Sequence, residues 1–340
     1  MYHFRNDYSE GAHPQVLEAL VRTNLEATAG YGEDEYCAAA AEMVKARLRC
    51  PEAEVHFLVG GTQTNFTAIT AFLRPWEAAV AVDTGHIAVH ETGAVEARGH
   101  KVITAPNRNG KMTVEALRAV WREHTEANPA HLVHPRLLYI SDSTELGTIY
   151  TKAELTALRE VTRELGMYLY LDGARLASAL TAQGNDLLPG DLPQLCDAFT
   201  IGGTKNGLLF GECLVITNPA LMPCFRYCMK QCGGMLAKGR LLGVQFEALL
   251  KDDLWLDLGR HANGLAAQVS RGLEARGYAL YAKSPTNQVF PILPRDTIAR
   301  LERDFTFEFT ASIDENHDAV RFVTSWATTQ QAVDALLVAL

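Results

Sequence analysis

The sequence predicts an α/β protein with a mostly parallel sheet, followed by a smaller α+β domain. Between about residues 54 and 216, short β-branched runs alternate with amphipathic helical stretches. This alternation is typical of a parallel sheet with helices on both faces. After Pro219 the pattern is helical to about residue 275, and short strands and a closing helix follow. A chain of 340 residues is long enough for one large domain with a smaller one appended.

Each element is predicted from a local pattern. Pro14, at a favoured first-turn position, opens a helix over 14–28, and Asp34 is a suitable N-cap for an Ala-rich helix over 35–48. Strands of the large sheet are predicted over 55–59, 79–82, 136–141, 167–172, 198–202 and 213–217, with helices over 62–73, 114–126 and 153–164. The small domain is predicted to contain strands near 287–293, 305–310 and 319–324 and a helix near 328–339. We therefore expect an N-terminal segment 1–30, a large domain 31–245 and a small domain 246–340.

Charge and composition argue against several classes of protein. The net charge of −9, without any basic tract, argues against a duplex nucleic-acid binder, which needs a cationic surface. The first residues lack the apolar core of a secretory signal, and no apolar run reaches the roughly 18 residues of a membrane span. Seven thinly spread cysteines are an odd number and fit reduced thiols in a cytoplasmic protein.

Three of the cysteines recur every four residues, at Cys224, Cys228 and Cys232. On a helix this spacing puts them on one face. A metal site needs a fourth ligand, and the local sequence offers none, so buried helix thiols are favoured over metal ligands. We predict no metal site.

Two polar motifs follow predicted strands, where parallel sheets bind their ligands. The first is Gly60-Gly61-Thr62, whose glycines let backbone N–H groups approach a phosphate at a helix N-terminus. A tight strand-to-helix turn explains it equally well. The second is Asp172, which ends an apolar strand and needs a cationic partner if buried. A protonated pyridine nitrogen is one such partner, and a helix-capping Asp paired with Arg175 is the alternative.

The third motif is Lys205, which follows a pair of glycines after a buried strand. Burial near a cation would lower the pKa of this lysine and make it a nucleophile, whereas a loop lysine is usually solvated. The three motifs in this order, with Lys205 placed 33 positions after Asp172, resemble the large domain of aspartate-aminotransferase-like (fold type I) enzymes. That resemblance implies pyridoxal 5'-phosphate (PLP) as the cofactor.

Within that group the chain resembles the threonine aldolase and β-eliminating lyase family, from Phe4-Arg-Asn-Asp7 to Arg321-Phe-Val-Thr-Ser-Trp326. Tyr31-Gly-Glu-Asp34 is similar to the family's Tyr-Gly-Glu-Asp motif, and His86-Ile-Ala-Val-His-Glu91 to its His-Ile-x-x-x-Glu segment. The resemblance implies a homodimer or homotetramer with shared active sites.

The resemblance also implies the roles of single residues. For the cofactor, Gly61, Thr62 and a cation would bind the phosphate, and Lys205 would attach to the cofactor covalently. His86 would stack on the ring, Asp172 would bond to the ring nitrogen, and Arg175 would contact the phenolic oxygen. For the substrate the roles are carboxylate binding by Arg175 and Arg321, with further contacts from Asn6 and Tyr31, the latter from a neighbouring subunit.

Two segments depart from the family pattern. The family's Asn-Thr-His-Asn-Gly is replaced by a segment that starts at Ser143, so Glu145 stands where the family has His. The family's Gly-Met-Arg-Gln becomes a segment that starts at Gly234, which leaves Lys238 as the phosphate cation in a predicted helix, with Lys230 as an alternative.

The resemblance implies cleavage of L-threonine, L-allo-threonine or a related β-hydroxy-α-amino acid to glycine and an aldehyde. Glu145 and His86 are the candidates for the base that takes the hydroxyl proton. A β-eliminating lyase or an aminotransferase is the alternative on the same scaffold. A nicotinamide-binding or non-catalytic α/β protein is disfavoured, because no G-x-G-x-x-G follows the first strand and Lys205 is present.

Overall fold

A computed structural model describes residues 1–126 and 130–340 of the chain. The helices are α1 (Pro14–Arg22), α2 (Glu35–Leu48), α3 (Gly61–Phe72), α4 (His86–Val89), α5 (Val114–Thr125), α6 (Lys152–Glu164), α7 (Leu176–Leu180), α8 (Leu192–Leu195), α9 (Phe225–Gln231), α10 (Arg240–Leu250), α11 (Leu254–Glu274), α12 (Arg295–Leu301) and α13 (Gln330–Ala339). The strands are β1 (Tyr2–His3), β2 (Glu54–Leu58), β3 (Glu77–Val82), β4 (Val102–Ala105), β5 (His134–Ser141), β6 (Tyr168–Asp172), β7 (Ala198–Gly202), β8 (Glu212–Ile216), β9 (Leu280–Ala282), β10 (Gln288–Pro294), β11 (Phe305–Thr306), β12 (Glu308–Ser312) and β13 (His317–Val323).

The central sheet has seven strands in the order β2-β8-β7-β6-β5-β3-β4. All neighbours pair in parallel except β8, which is antiparallel to both β2 and β7. The carboxyl ends of β2, β3, β5, β6 and β7 therefore meet at one edge of the sheet, which we call the carboxyl edge. The amino end of β8 arrives at the same edge, where Glu212 pairs with Gly202.

Side chains of the central strands alternate between two buried layers. Leu169 and Leu171 pack in the larger core, with residues of α2, α5, α6 and α10. Tyr170, between them, points into the opposite core, which contains residues of α3 and α9. Helices thus cover both faces of the sheet, as predicted, and the hydroxyl of Tyr170 reaches the α3 side.

A second, antiparallel sheet has the order β12-β13-β10-β9 and shares a core with α11 and α13. The N-terminal segment packs on this part of the chain, because β1 pairs with β11 and Phe4 is buried in its core. The domain division stays a prediction. The proposed boundary at residue 245 lies inside α10, where Phe246 belongs to the central-sheet core.

Two predicted elements differ in the structure, and one strand of the central sheet was not predicted. The helix expected over 14–28 ends at Arg22, and its C-cap is Thr23, whose hydroxyl also donates to the Ala19 carbonyl. The strand expected over 305–310 is two strands, β11 and β12, which pair with different partners. Strand β4, which the sequence analysis did not predict, adds an edge to the central sheet beside β3.

The cysteine prediction is wrong in part. Helix α9 is short, so Cys224 lies exposed before it, Cys228 lies within it and Cys232 follows it, and none of the three is fully buried. Across residues 1–126 and 130–340, no group of three or more His, Cys, Asp or Glu side chains is placed to hold a metal ion. Within the same described residues, no helix has both the length and the apolar character needed to cross a membrane.

Candidate active site

A pocket at the carboxyl edge of the central sheet brings most of the predicted site residues together. Its lining comprises Gly61, Asn65, His86, Ser141, Ser143, Glu145, Asp172, Ala174, Arg175 and Lys205. These residues follow or end five different strands or begin the adjoining helix α3. Parallel strands explain the convergence, because their carboxyl ends open onto the same edge.

Asp172 ends β6 and has its carboxylate fully hydrogen-bonded. Tyr139 Oη and Asn65 Nδ2 donate to Asp172 Oδ2 at 2.6 and 2.8 Å, and the Ala174 backbone N–H donates to Oδ1 at 2.9 Å. Burial alone would raise the pKa of Asp172, but the nearby His86 and these side-chain bonds outweigh burial and keep the pKa below its ordinary value. Asp172 is not the N-cap of α7, which is Arg175. The alternative of a local helix cap is therefore wrong.

Asn65 connects the Asp172 carboxylate to His86. Its Nδ2 also donates to Glu91 Oε1 at 2.8 Å, and Tyr170 Oη donates to its Oδ1 at 2.9 Å. His86 Nδ1 lies 2.8 Å from the same Glu91 oxygen, which fixes the plane of the imidazole ring. The sequence analysis assigned no role to Asn65 or Glu91, although a polar residue on the buried face of a helix is a signal that was available.

Lys205 lies in a short turn directly after β7. Burial, together with the charge of Arg175, lowers the pKa of Lys205 below its ordinary value, which favours the nucleophilic amine. Gly202, at the end of β7, cannot carry a larger side chain, because a Cβ there would lie 2.2 Å from the Ala174 carbonyl oxygen. Glu212, which the sequence analysis missed, accepts a bond from the Gly203 N–H at 3.2 Å, and burial raises the pKa of Glu212 to about 7.

The start of α3 offers unpaired N–H groups. Its N-cap Gly60 makes no side-chain cap bond, and a Cβ added at Gly60 or Gly61 would meet no described atom within 4 Å. The N-terminus of this 12-residue helix is therefore open to an anionic group. The open helix end, the nucleophilic Lys205 and the ionised Asp172 fit the phosphate, aldehyde and ring nitrogen of PLP.

Arg175 is held by a buried acid that the sequence analysis did not select. Its Nε and Nη2 donate to the two oxygens of Asp7 at 2.7 and 3.0 Å. Asp7 is 1% exposed and also accepts a bond from Asn287 Nδ2 at 2.9 Å. The predicted neighbour Asn6 instead accepts bonds from the Tyr8 N–H and the Ser9 hydroxyl. Its role in substrate binding stays a prediction.

Glu145 lies beside His86 in the pocket. Its Oε1 accepts bonds from the Ser141 hydroxyl at 2.7 Å and from the His86 backbone N–H at 3.0 Å. Burial raises the pKa of Glu145 above its ordinary value. The Ser143 hydroxyl is buried in the same lining and has no hydrogen-bond partner among the described residues.

Arg321 lies on β13 of the second sheet. Its Nη1 donates to Gln288 Oε1 at 3.3 Å, and its Nη2 forms an ion pair with Glu308. Burial and then the charge of Arg175 lower the pKa of Arg321. Arg321 does not line the pocket of Arg175 and Lys205, and its role in binding the substrate carboxylate stays a prediction.

Comparison with known proteins identifies the family. A family model described as β-eliminating lyase matches residues 4–295. The chain belongs to the β-eliminating lyase family. It is 30% identical over 338 residues to a low specificity L-threonine aldolase of Pseudomonas aeruginosa, an alignment that covers 98% of this chain and 95% of that protein. A solved structure of Leishmania major threonine aldolase is 47% identical, has a TM-score of 0.97 and covers 99% of this chain and 98% of that one.

The fold of this β-eliminating lyase family member extends to more distant structures. A Thermus thermophilus aspartate aminotransferase is 16% identical with a TM-score of 0.72, and the match covers 100% of this chain and 90% of that one. The predicted family and aspartate-aminotransferase-like fold are confirmed. So are the PLP cofactor and the enzyme class, a PLP-dependent lyase. The predicted aldolase function agrees with the two named threonine aldolases.

Five predicted site residues do not line this pocket: Asn6, Tyr31, Lys238, Arg321 and Thr62, the last of which lies in the first turn of α3. The Tyr31 N–H donates to the Ala237 carbonyl at 3.4 Å, and Lys230 Nζ lies 4.4 Å from the centre of the Tyr31 ring. Lys238 is exposed in the turn before α10, and the prediction of a helix there is wrong because α10 begins at Arg240. Neither Tyr31 nor Lys238 lines the pocket that contains Lys205. Their roles stay predictions.

Proposed function

We propose that the protein cleaves the Cα–Cβ bond of a β-hydroxy-α-amino acid, such as L-threonine or L-allo-threonine, to glycine and an aldehyde. The observation that carries the proposal is one pocket in which Lys205 with its lowered pKa, an ionised aspartate and a half-buried glutamate meet. Bound PLP supplies the electron sink of this chemistry. Asp172, held ionised by Tyr139 and Asn65, is the residue that would keep the ring nitrogen protonated.

The two arginines orient the substrate in this proposal. Arg175 donates hydrogen bonds to Asp7 from Nε and Nη2, which leaves Nη1 for the substrate carboxylate. Arg321 approaches from the small sheet and completes the carboxylate site. A carboxylate fixed at two points, with the amino group beside Lys205, sets the direction of the bonds at Cα.

Glu145 is the base that we propose for the β-hydroxyl proton. Its Oε1 already accepts two hydrogen bonds, so Oε2 is the oxygen available for the proton. A carboxylate whose pKa is raised by burial binds a proton more readily than an exposed one. His86, whose Nδ1 is bound to Glu91, is oriented to stack on the cofactor ring and has only Nε2 left for proton transfer.

Product analysis tests this function. Incubated with L-threonine or L-allo-threonine, the PLP-loaded enzyme should release glycine and acetaldehyde in equal amounts. Formation of a 2-oxo acid and ammonia would instead indicate β-elimination, and formation of a 2-oxo acid with the amino group retained on the cofactor would indicate transamination. Either result, without glycine, would refute the aldolase proposal.

We further propose a cytoplasmic homodimer or homotetramer with shared active sites. In support, Tyr31 and the turn of Lys238 lie together on the surface, away from the pocket of their own chain. Helix α1 and the residues after it also expose a stripe of large apolar side chains: Leu17, Val21 and Leu25. All seven cysteines are free, which suits a reducing compartment.

Subunit mixing tests the shared sites. Lys205→Ala and Lys238→Ala subunits should each be inactive alone, and a hybrid dimer should regain one intact site. Activity in the mixture would support sharing. Confirmed hybrids that remain inactive, made from an inactive Lys238→Ala parent, would contradict it.

A further inference from the structure

The acid that pairs with Arg321 lies directly opposite it on the neighbouring strand. In the antiparallel pair β12–β13, Glu308 and Arg321 are register partners, so their side chains project from the same face of the sheet. The Glu308 carboxylate forms an ion pair with Arg321 Nη2. The Arg321 guanidinium group, which we propose to bind the carboxylate of the substrate, is therefore already bound to a carboxylate of the protein.

Several features make this ion pair easy to release. Strand β12 is the edge of the small sheet, and the Glu308 side chain is 38% exposed. Within residues 1–126 and 130–340, Arg321 is the only hydrogen-bond partner of the Glu308 side chain. Partly exposed ion pairs contribute little stability, so another carboxylate can compete for the arginine.

Arg321 also has bonding capacity that Glu308 does not use. Its Nε is buried and has no partner among the described residues, and its Nη1 makes one long bond of 3.3 Å to Gln288. A planar guanidinium group can bind a carboxylate with two parallel bonds. The single bond to Glu308 leaves that better geometry available to another ligand.

We propose that Glu308 is an intramolecular competitor for the α-carboxylate of the substrate: it binds Arg321 in the free enzyme and is displaced when an amino acid enters. This inference rests on the proposed role of Arg321. Between turnovers Glu308 offsets the charge of Arg321, which is largely buried. Because a substrate must displace Glu308, the enzyme binds amino acids less tightly than it would without this acid. Glu308 would thereby help to set the affinity of the site for its substrate.

The opposite role is also physically possible, since Glu308 could simply hold Arg321 in its productive position. The two roles predict effects of opposite sign. Removing a competitor strengthens the binding of carboxylate ligands, whereas removing a positioning residue weakens it. A measurement of binding affinity therefore separates them without relying on catalysis.

The test uses the PLP-loaded enzyme with Glu308→Gln, which keeps the shape of the side chain and removes its charge. The probes are glycine and glycinamide, which differ in the presence of the carboxylate, and binding is measured by calorimetric or absorbance titration. We expect the Kd for glycine to fall roughly two- to fivefold and the Kd for glycinamide to stay unchanged. The control variant Glu315→Gln removes an exposed charge from the same hairpin and should change neither Kd.

Two further measurements make the result decisive. In an Arg321→Gln background, Glu308→Gln should no longer alter glycine binding, because the competition needs both partners. An unchanged or higher Kd for glycine in Glu308→Gln would overturn the proposal, as would an equal gain for glycinamide. The two proposals can fail separately. An incorrect aldolase assignment would appear in the products formed from threonine, whereas the glycine titration would still report on Glu308.

Discussion

The two sides of the active site are built differently. The site floor, which consists of Asn65, Asp172 and Lys205, lies at the carboxyl edge of the central sheet, and both oxygens of its aspartate are hydrogen-bonded. The side that we propose as the site wall consists of Gln288, Glu308 and Arg321 on the small sheet. Its arginine Nε has no hydrogen-bond partner among the described residues, and its acid lies on an edge strand.

This difference separates chemistry from recognition. The buried and hydrogen-bonded Asp172 carboxylate is held at a fixed position and needs no reorganisation during the reaction. A partly exposed wall can exchange one carboxylate partner for another. We therefore expect changes in the floor to affect turnover, and changes in the wall to affect binding.

Loss of the floor lysine should have the largest effect. Lys205→Ala removes the amine that attaches the cofactor covalently, so turnover should fall by roughly 1,000-fold or more. In the unaltered protein, borohydride reduction followed by mass mapping should place the pyridoxyl group on Lys205. Attachment at another lysine, or substantial activity in Lys205→Ala, would contradict the assignment of Lys205.

The two arginine–carboxylate pairs should differ strongly in their contribution to stability. Asp7→Asn leaves the buried guanidinium of Arg175 without its counter-charge, which should lower the free energy of unfolding by about 3–5 kcal/mol. Glu308→Gln breaks a partly exposed pair and should cost less than about 1 kcal/mol. Denaturant unfolding at one fixed protein concentration measures both. Equal losses would show that the Asp7–Arg175 pair stabilises the fold no more than the Glu308–Arg321 pair does.

Glu145 should determine the acidic side of the pH profile. Since only its ionised form can take a proton, activity should fall as the pH drops through its pKa, which burial places above the ordinary value of 4.5. Glu145→Gln should reduce kcat roughly 100-fold and remove that limb of the profile. Glu160→Gln, at an exposed position of α6, is the matched control. A profile that keeps its acidic limb in Glu145→Gln would assign the limb to another group.

Asp172 should affect turnover more than cofactor retention. Asp172→Asn removes a negative charge while the open start of α3 and Lys205 still hold the cofactor. We expect kcat to fall about 10- to 100-fold, the equivalent of one charge-assisted hydrogen bond, with the PLP absorbance retained. Near-normal turnover in this variant would mean that the carboxylate serves only to bind Tyr139 and Asn65.

The sequence marked Asp172 and Lys205 of the floor, but not Asn65 and not the acids that pair with Arg175 and Arg321. Asp172 and Lys205 follow apolar strands, so their local patterns mark them as unusual. Asp7 and Glu308 carry no such mark, because an acid in an N-terminal segment or on an edge strand looks like an ordinary surface residue. Their functions arise only when tertiary folding brings them to Arg175 and Arg321. Sequence patterns report local structure and cannot report these distant pairings.

The smallest effect on kcat is expected from a change in the wall that keeps the charge of Arg321. Arg321→Lys keeps the positive charge but replaces the planar fork with a point charge, which cannot bind a carboxylate through two parallel bonds. The KM for L-threonine should therefore rise about tenfold while kcat changes by less than about twofold, since the same contact is made before and during the reaction. Arg295→Lys, which changes an exposed arginine at the start of α12 that pairs with Asp318 of β13, provides the control and should leave both constants unchanged. A fall in kcat equal to the fall in kcat/KM would show that Arg321 acts mainly in the transition state, and the wall would then share the chemical role of the floor.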